Sequence, residues 1–259
     1  FGHGLVRTPD DFGAQGTPPT HPRLLDWLAT EFVASGWDMK RMHRLIVTSA
    51  TYRQSARVPS DASGRDPENL LLGHMPRVRL PAEQIRDQAL FVSGLLVRKV
   101  GGKPVYPTQT PDYWEQRVLP GKWNNSQGMD RHRRTMYTYW RRMALHPTLE
   151  ILNAPARDNC VVRRDVSNVP TQALALMNDP IFHAAATAFA ARLISEVEGS
   201  DPKRLERAFR LILGRAPEPA ERSKFLSYLK HQREDWNEDA AWALACSVLL
   251  NLDETITRP

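Results

Sequence analysis

Residues 179–214, DPIFHAAATAFAARLISEVEGSDPKRLERAFRLILG, decide the fold class. Asp179-Pro180 and Asp201-Pro202 each set an acidic cap before a proline at the first helical position. There the side-chain oxygen accepts an orphan N–H, and the fixed proline φ already suits the helix. After the first signal Phe182, Ala186, Phe189, Leu193 and Val197 recur at helical spacing. After the second Leu205, Phe209, Ile212 and Leu213 do so, up to a stop at Gly214. Two further helices are expected, one carrying Phe225, Leu226 and Leu229 and the other Trp242, Leu244, Val248 and Leu249. Four amphipathic segments with short links predict a C-terminal helical bundle.

Reading back toward the start, Thr20 is a plausible N-cap for a helix presenting Leu24, Leu25, Leu28, Phe32 and Val33, with Gly36 as a left-handed stop. Asp38 caps a second helix whose face is Met39, Met42, Leu45, Ile46 and Ala50. The short link at Gly36-Trp37 implies an antiparallel hairpin burying facing stripes. A third helix is expected from Pro81, through Ile85, Ala89, Val92 and Leu96, to Gly101-Gly102. Ser55 to Asn69 reads as a surface loop, and Lys103 to Gly128 as irregular. Met136 to Trp140 fits a strand or a short helix equally. The expectation is a mainly α chain: one helical domain over 1–259, with N-terminal helices in 1–100, an irregular region in 101–168 with room for one small β-hairpin, and the bundle in 169–259.

The 259 residues, 41% hydrophobic and 25% charged, fall in the ordinary globular range. The longest nearly apolar run, Ala89 to Val97, is far short of the roughly 20 residues a membrane span needs. The chain opens at Phe1 inside a loop-like stretch without an export signal, so it reads as a piece of a longer polypeptide, truncated at the start of its domain. The net charge of +6 comes largely from arginine, in clusters at Arg131-His132-Arg133-Arg134, Arg141-Arg142 and Arg163-Arg164. Such clusters serve phosphates or acidic glycans, or are absorbed in salt bridges and solvated faces. Nucleic-acid binding has only this charge in its favour and is set aside.

Cys160 and Cys246 are the only cysteines, so neither zinc nor iron–sulfur ligand sets arise; they read as buried free thiols or as one disulfide. The eight histidines form no HExxH, and no CxxCH attaches a haem; no metal site is expected. GxSxG and GxxxxGK[ST] are absent. Three strings hold more hydrogen-bonding side chains than solubility needs: Val6 to Gly13, Thr48 to Ser55, and Val162 to Leu174. In them Arg7, Arg53, Arg163 and Arg164 offer forked donors, and Tyr52, Asn168 and Gln172 suit a sugar. If the strings converge they make a polar pocket; otherwise the arginines tie loops to helix ends. An enzyme would draw on Asp10, Asp11 and His21 with Arg163 and Arg164, against the simpler reading of Asp10-Asp11 as turn formers.

The strings FGHGLVRTPDDFGAQGTPPTHPRLLDWLATEF, LIVTSATYRQSA, NVPTQALALMNDPIF and RAFRLILGRAPEPAE, with VLLNLDE near the end, resemble the planctomycete-type PSD domain, domain of unknown function 1553. The resemblance covers nearly the whole chain. It implies the C-terminal domain of a large exported protein in the periplasm or cell envelope, beside a cytochrome c domain that carries haem c, with no cofactor in this segment. It transfers no catalytic residue. The expected function is docking, scaffolding or glycan recognition, with anionic polysaccharide as one ligand; the rival is a carbohydrate-active enzyme with a polar cleft.

Overall fold

The computed structural model describes residues 1–56, 58, 64, 66–109, 122–141 and 144–258. Pro59, Arg142 and residues 110–121 of the stretch read as irregular lie outside them. The fold is mainly helical, in two compact units: Phe1–Arg79 with Thr257–Pro259, and Leu80–Ile256.

The first unit holds α1 (Pro22–Ala34) and α2 (Met39–Thr48). The expected turn is present: Gly36 takes φ 71° and the Trp37 N–H returns to the Phe32 carbonyl at 3.0 Å. Asp38 caps α2 by accepting from the Arg41 N–H at 3.0 Å. Thr20 is not the cap of α1; His21 holds that position with no side-chain cap bond, and Pro22 opens the helix. The facing stripes are not buried. Among the described residues of this unit no side chain is buried at all, and Leu25, Val33 and Met39 are exposed. Strands β1 (Val78–Arg79) and β2 (Thr257–Arg258) pair antiparallel, Val78 opposite Arg258. The short sheet thus joins distant segments and is not a hairpin of the middle region, where the described residues show isolated bridges at Val97–Arg133, Val105–Thr138 and Arg141–Ala144.

The second unit contains α3 (Ala82–Val92), α4 (Pro147–Ile151), α5 (Pro170–Asn178), α6 (Pro180–Glu196), α7 (Asp201–Ile212), α8 (Pro219–Asp235), α9 (Glu238–Leu250) and α10 (Asp253–Ile256). Helix α6 and helix α9 pack most extensively. Phe182, Ala185, Phe189 and Leu193 share one core cluster with Ala241, Trp242, Ala245, Cys246 and Leu249, all buried, and alanines on both stripes permit close approach. Val248 falls outside the buried stripe at 40% exposure, so the true face of α9 is rotated from the expected one. Helix α3, read with the N-terminal helices, packs here against α6 and α7 and ends at Ser93 before Gly94, short of Gly101.

Asp179 caps α6 through the Ile181 N–H at 2.8 Å and also accepts from the Thr148 hydroxyl, tying α4 to α6. At α7 the cap is Ser200 instead. Asp201 sits inside the first turn and receives both Arg233 Nη atoms at 2.6 and 2.8 Å, which holds its carboxyl below the usual range. In RAPEPAE, Arg215 forks onto Glu221 at 2.7 and 2.8 Å and reaches Glu254 at 2.8 and 2.5 Å, bracing the start of α8 against α10. Cys246 is buried, its thiol pushed up by desolvation, while Cys160 is exposed; both are free thiols.

Within the Arg131–Arg134 cluster Arg133 turns inward, whereas Arg134 is exposed. Arg133 is buried, stacks 4.0 Å from the Tyr137 ring and donates to the Lys99 and Gly101 carbonyls at 3.0 and 2.6 Å. Met136 and Tyr137 belong to a 3-10 turn, Thr135–Tyr137. Nearby, His146 is buried with Nε2 3.2 Å from the Thr108 carbonyl and its ring 5.7 Å from Trp123. Burial first, then the Arg86 charge, lowers its pKa from 6.5 to about 4. The unfolded chain therefore binds this proton first on acidification, and stability falls as pH drops from 6.5 toward 4. The expected loss from this group is about 3 kcal/mol. Urea titrations across that window should show the slope, and His146→Gln should flatten it; an unchanged slope would refute the assignment.

Candidate functional site

The site lies inside the first unit and is built from the opening string. Gly2, at φ 77°, lies against Pro76, where an added Cβ would stand 3.1 Å from Pro76 Cγ. Gly4 packs on the Val6 carbonyl, 2.9 Å from where its Cβ would be. Beyond Leu5 the chain makes a loop that closes when the Thr20 N–H reaches the Leu5 carbonyl at 2.9 Å. The loop is braced internally. The Thr8 hydroxyl donates to the Asp11 carbonyl and accepts from the Thr17 N–H, each at 2.9 Å. Asp11 Oδ1 accepts from the Gly13 N–H at 2.8 Å. Gly16 is held so close that a Cβ would lie 2.0 Å from the Asp11 carbonyl oxygen.

A second wall comes from residues 66–76. Asp66 accepts from the Leu70 and Leu71 N–H groups at 2.8 and 2.7 Å, and the Asn69 amide donates to the His74 carbonyl at 2.7 Å. Asn69 and Leu72 take positive φ, which turns this wall back on itself. Leu28 of α1 and Ile46 of α2 form the base. The walls enclose a cavity of about 340 Å³. Its lining is apolar at Phe1, Leu5, Leu28, Ile46, Leu70, Leu72 and Pro76, with polar groups from His3, Arg7, Thr20, Glu68 and Asn69. Arg7 Nη1 lies 2.5 Å from Glu68 Oε2, so the cavity holds a cation and an anion side by side with their charges cancelled.

Of the residues singled out in the sequence, Arg7 lines this cavity. Tyr52 packs edge-on against the lining ring of Phe1 at 5.6 Å. Arg53 is exposed in the turn after α2, its N–H on the Ser49 and Ala50 carbonyls. Asp10, Asp11 and His21 are not lining residues: Asp10 is exposed, Asp11 serves its own turn, and His21 Nδ1 lies 3.0 Å from Thr20 Oγ1. The third string belongs to the second unit. There Arg164 pairs with Glu83 at 2.7 Å, Arg163 and Asn168 are exposed, and the buried Gln172 amide donates to the Ile151 carbonyl at 2.9 Å and Ser167 Oγ at 3.1 Å.

Sequence reasoning missed Glu68 and Asn69. They sit in a stretch whose polarity and proline content read as plain surface loop, and only the Asp66-to-Asn69 run of turn-forming side chains signals a built wall. Among the described residues no group of three or more His, Cys, Asp or Glu side chains is placed to share a metal ion, and no helix is long and apolar enough to cross a membrane.

No curated protein and no solved structure matches the chain. Residues 1–229 match the sequence model of PSD1, described as a protein of unknown function (DUF1553). That match takes in the cavity walls and most of the helical unit, so the chain belongs to the PSD1 (DUF1553) family.

Proposed function

We propose that the chain is a non-catalytic recognition and docking module whose N-terminal cavity holds an uncharged pyranose ring of a glycan. The observation carrying this reading is the Arg7–Glu68 pair in a cavity lined by apolar side chains on one part and by His3, Thr20 and Asn69 on another. A sugar ring presents C–H faces that favour apolar contact and vicinal hydroxyls that both donate and accept. Forked arginine donors beside carboxylate acceptors match the hydroxyls, and Leu5, Leu28 and Leu72 match the ring. Because Glu68 neutralises Arg7, an anionic glycan gains little attraction here. The same proposal includes export to the cell envelope and a neighbouring domain bearing haem c; both rest on the family resemblance.

The test is calorimetric titration with neutral and sulfated oligosaccharides. Saturable binding of a neutral ligand with little salt dependence is expected. Arg7→Ala should weaken it roughly 10- to 100-fold, the effect of losing a charge-assisted hydrogen bond. Binding confined to sulfated ligands with steep salt dependence would overturn the neutral-sugar reading. Turnover of a glycan, abolished by replacing Asp10 or His21, would overturn the non-catalytic one.

A further inference from the structure

We infer that the turn of residues 97–103, VRKVGGK, is a docking surface for an anionic phospholipid membrane, with Val100 as the side chain that enters it. The turn lies in the second unit and is held from behind. The Val97 N–H bonds the His132 carbonyl at 3.0 Å, and the buried Arg133 donates to the Lys99, Gly101 and Lys103 carbonyls at 3.0, 2.6 and 3.4 Å. The Gly101 N–H reaches the Tyr137 hydroxyl at 2.9 Å, and Gly101 and Gly102 take φ 76° and 96°, a region that favours glycine. With its backbone fastened inward, the turn presents Arg98, Lys99, Val100 and Lys103 to solvent. Val100 is 87% exposed, more than any other large apolar side chain among the described residues. Arg98 lies 5.3 Å over the ring of Phe91, which is itself 49% exposed.

Charge selects an anionic partner. Residues 97–103 carry three cations and no carboxylate, and among the described residues none of Arg98, Lys99 and Lys103 is in an ion pair. Carboxylates on adjoining elements are engaged elsewhere: Asp87 with Arg134 and Thr135, and Glu196 with Arg192 and Arg207. Asp130 is exposed on the flanking 3-10 turn, and Arg131 beside it offsets its charge. A lone exposed valine is ordinary on a protein surface, but this one stands at the tip of a stiffened turn between cations. Cations with an apolar tip among them match a bilayer, whose anionic headgroups overlie hydrocarbon. An acidic glycan or a nucleic acid would meet the cations and leave Val100 with no apolar layer to enter. Three cations and one valine make a weak, reversible contact. Nothing in it depends on the sugar cavity, which belongs to the first unit.

The whole chain should co-sediment with vesicles of an equimolar mixture of phosphatidylcholine and phosphatidylglycerol, less so as salt rises, and stay in solution with phosphatidylcholine alone. The double variant Lys99→Glu/Lys103→Glu should lower the partition coefficient at least about tenfold, since each cation near an anionic surface contributes roughly fivefold. Val100→Ser keeps the charge and should lower it about fivefold by removing the apolar tip, whereas Val100→Trp should raise it. All three positions are exposed, so the circular dichroism spectrum should stay that of the parent. Absence of binding to the anionic vesicles overturns the inference. Vesicle binding that ignores both Val100 variants also overturns it and leaves a polyanion site that reads charge alone. Heparin binding weakened by Val100→Ser as much as vesicle binding is would overturn it too, because heparin has no apolar layer for that side chain to enter.

Discussion

Arg86→Ala is expected to lower the unfolding free energy by about 3–5 kcal/mol, measured as a shift in the urea midpoint at neutral pH. Arg86 is 1% exposed on α3, where Ile85 and Ala89 would lead one to expect an apolar neighbour. Its guanidinium closes a polar centre: Nη1 donates to the Arg133 carbonyl at 2.9 Å and Thr135 Oγ1 at 3.1 Å, and Nη2 donates to the Arg131 carbonyl at 2.9 Å. Next to it Asp87 accepts from the Thr135 N–H and hydroxyl at 2.7 and 2.6 Å. Burial pulls the Arg86 pKa down to about 10 against the opposing charges of Asp87 and Asp179, which still leaves it cationic at neutral pH. Alanine would orphan two carbonyls and remove the positive charge beside Asp87. Arg86→Met fills the same volume without the donors, and so separates the polar loss from the cavity. If Arg86→Met is as stable as the parent, the polar centre contributes nothing and the argument fails.

Phe189→Ala should cost a comparable 3–5 kcal/mol for a different reason. Phe189 is 0% exposed on α6, on the stripe that runs from Ile181 through Ala185 to Leu193 and is covered mainly by α9. Truncation removes a ring from a site walled by helices, which cannot collapse without moving their backbones, so the cavity remains. Phe189→Leu should recover much of the loss by restoring volume. Calorimetric melting points of both variants decide it: equal melting points for Phe189→Ala and the parent would show that α6 does not anchor the core. Either loss is a large fraction of the 5–15 kcal/mol typical of a folded domain.

Much of the local architecture was legible because it is set by residues a few positions apart. The Asp38 and Asp179 caps, Pro180 and the Gly36 stop each act within one helical turn, and all operate as expected. Where the expectation slipped, a distant partner had intervened. Asp201 carries the chemistry of a cap, but Arg233, 32 residues on, draws it into ion pairs while Ser200 takes the cap position. Thr20 likewise loses its expected cap role, its N–H closing the loop on Leu5 instead.

Of the candidate site, the opening string contributes Arg7 to the cavity lining, while Glu68, which pairs with it there, lies 61 residues away. Arg86 presents the same problem across 47 residues. Cap residues and apolar spacing along the chain are enough to read a helical protein and the starts of most of its helices. Which arginines are buried, which are neutralised by carboxylates, and which amphipathic faces find a core emerge from packing. The α6 and α9 stripes are covered, and those of α1 and α2 are left open. Helix signals act through hydrogen bonds spanning four residues, whereas burial and charge pairing depend on what the folded chain brings alongside, and no periodicity along the sequence encodes that neighbour.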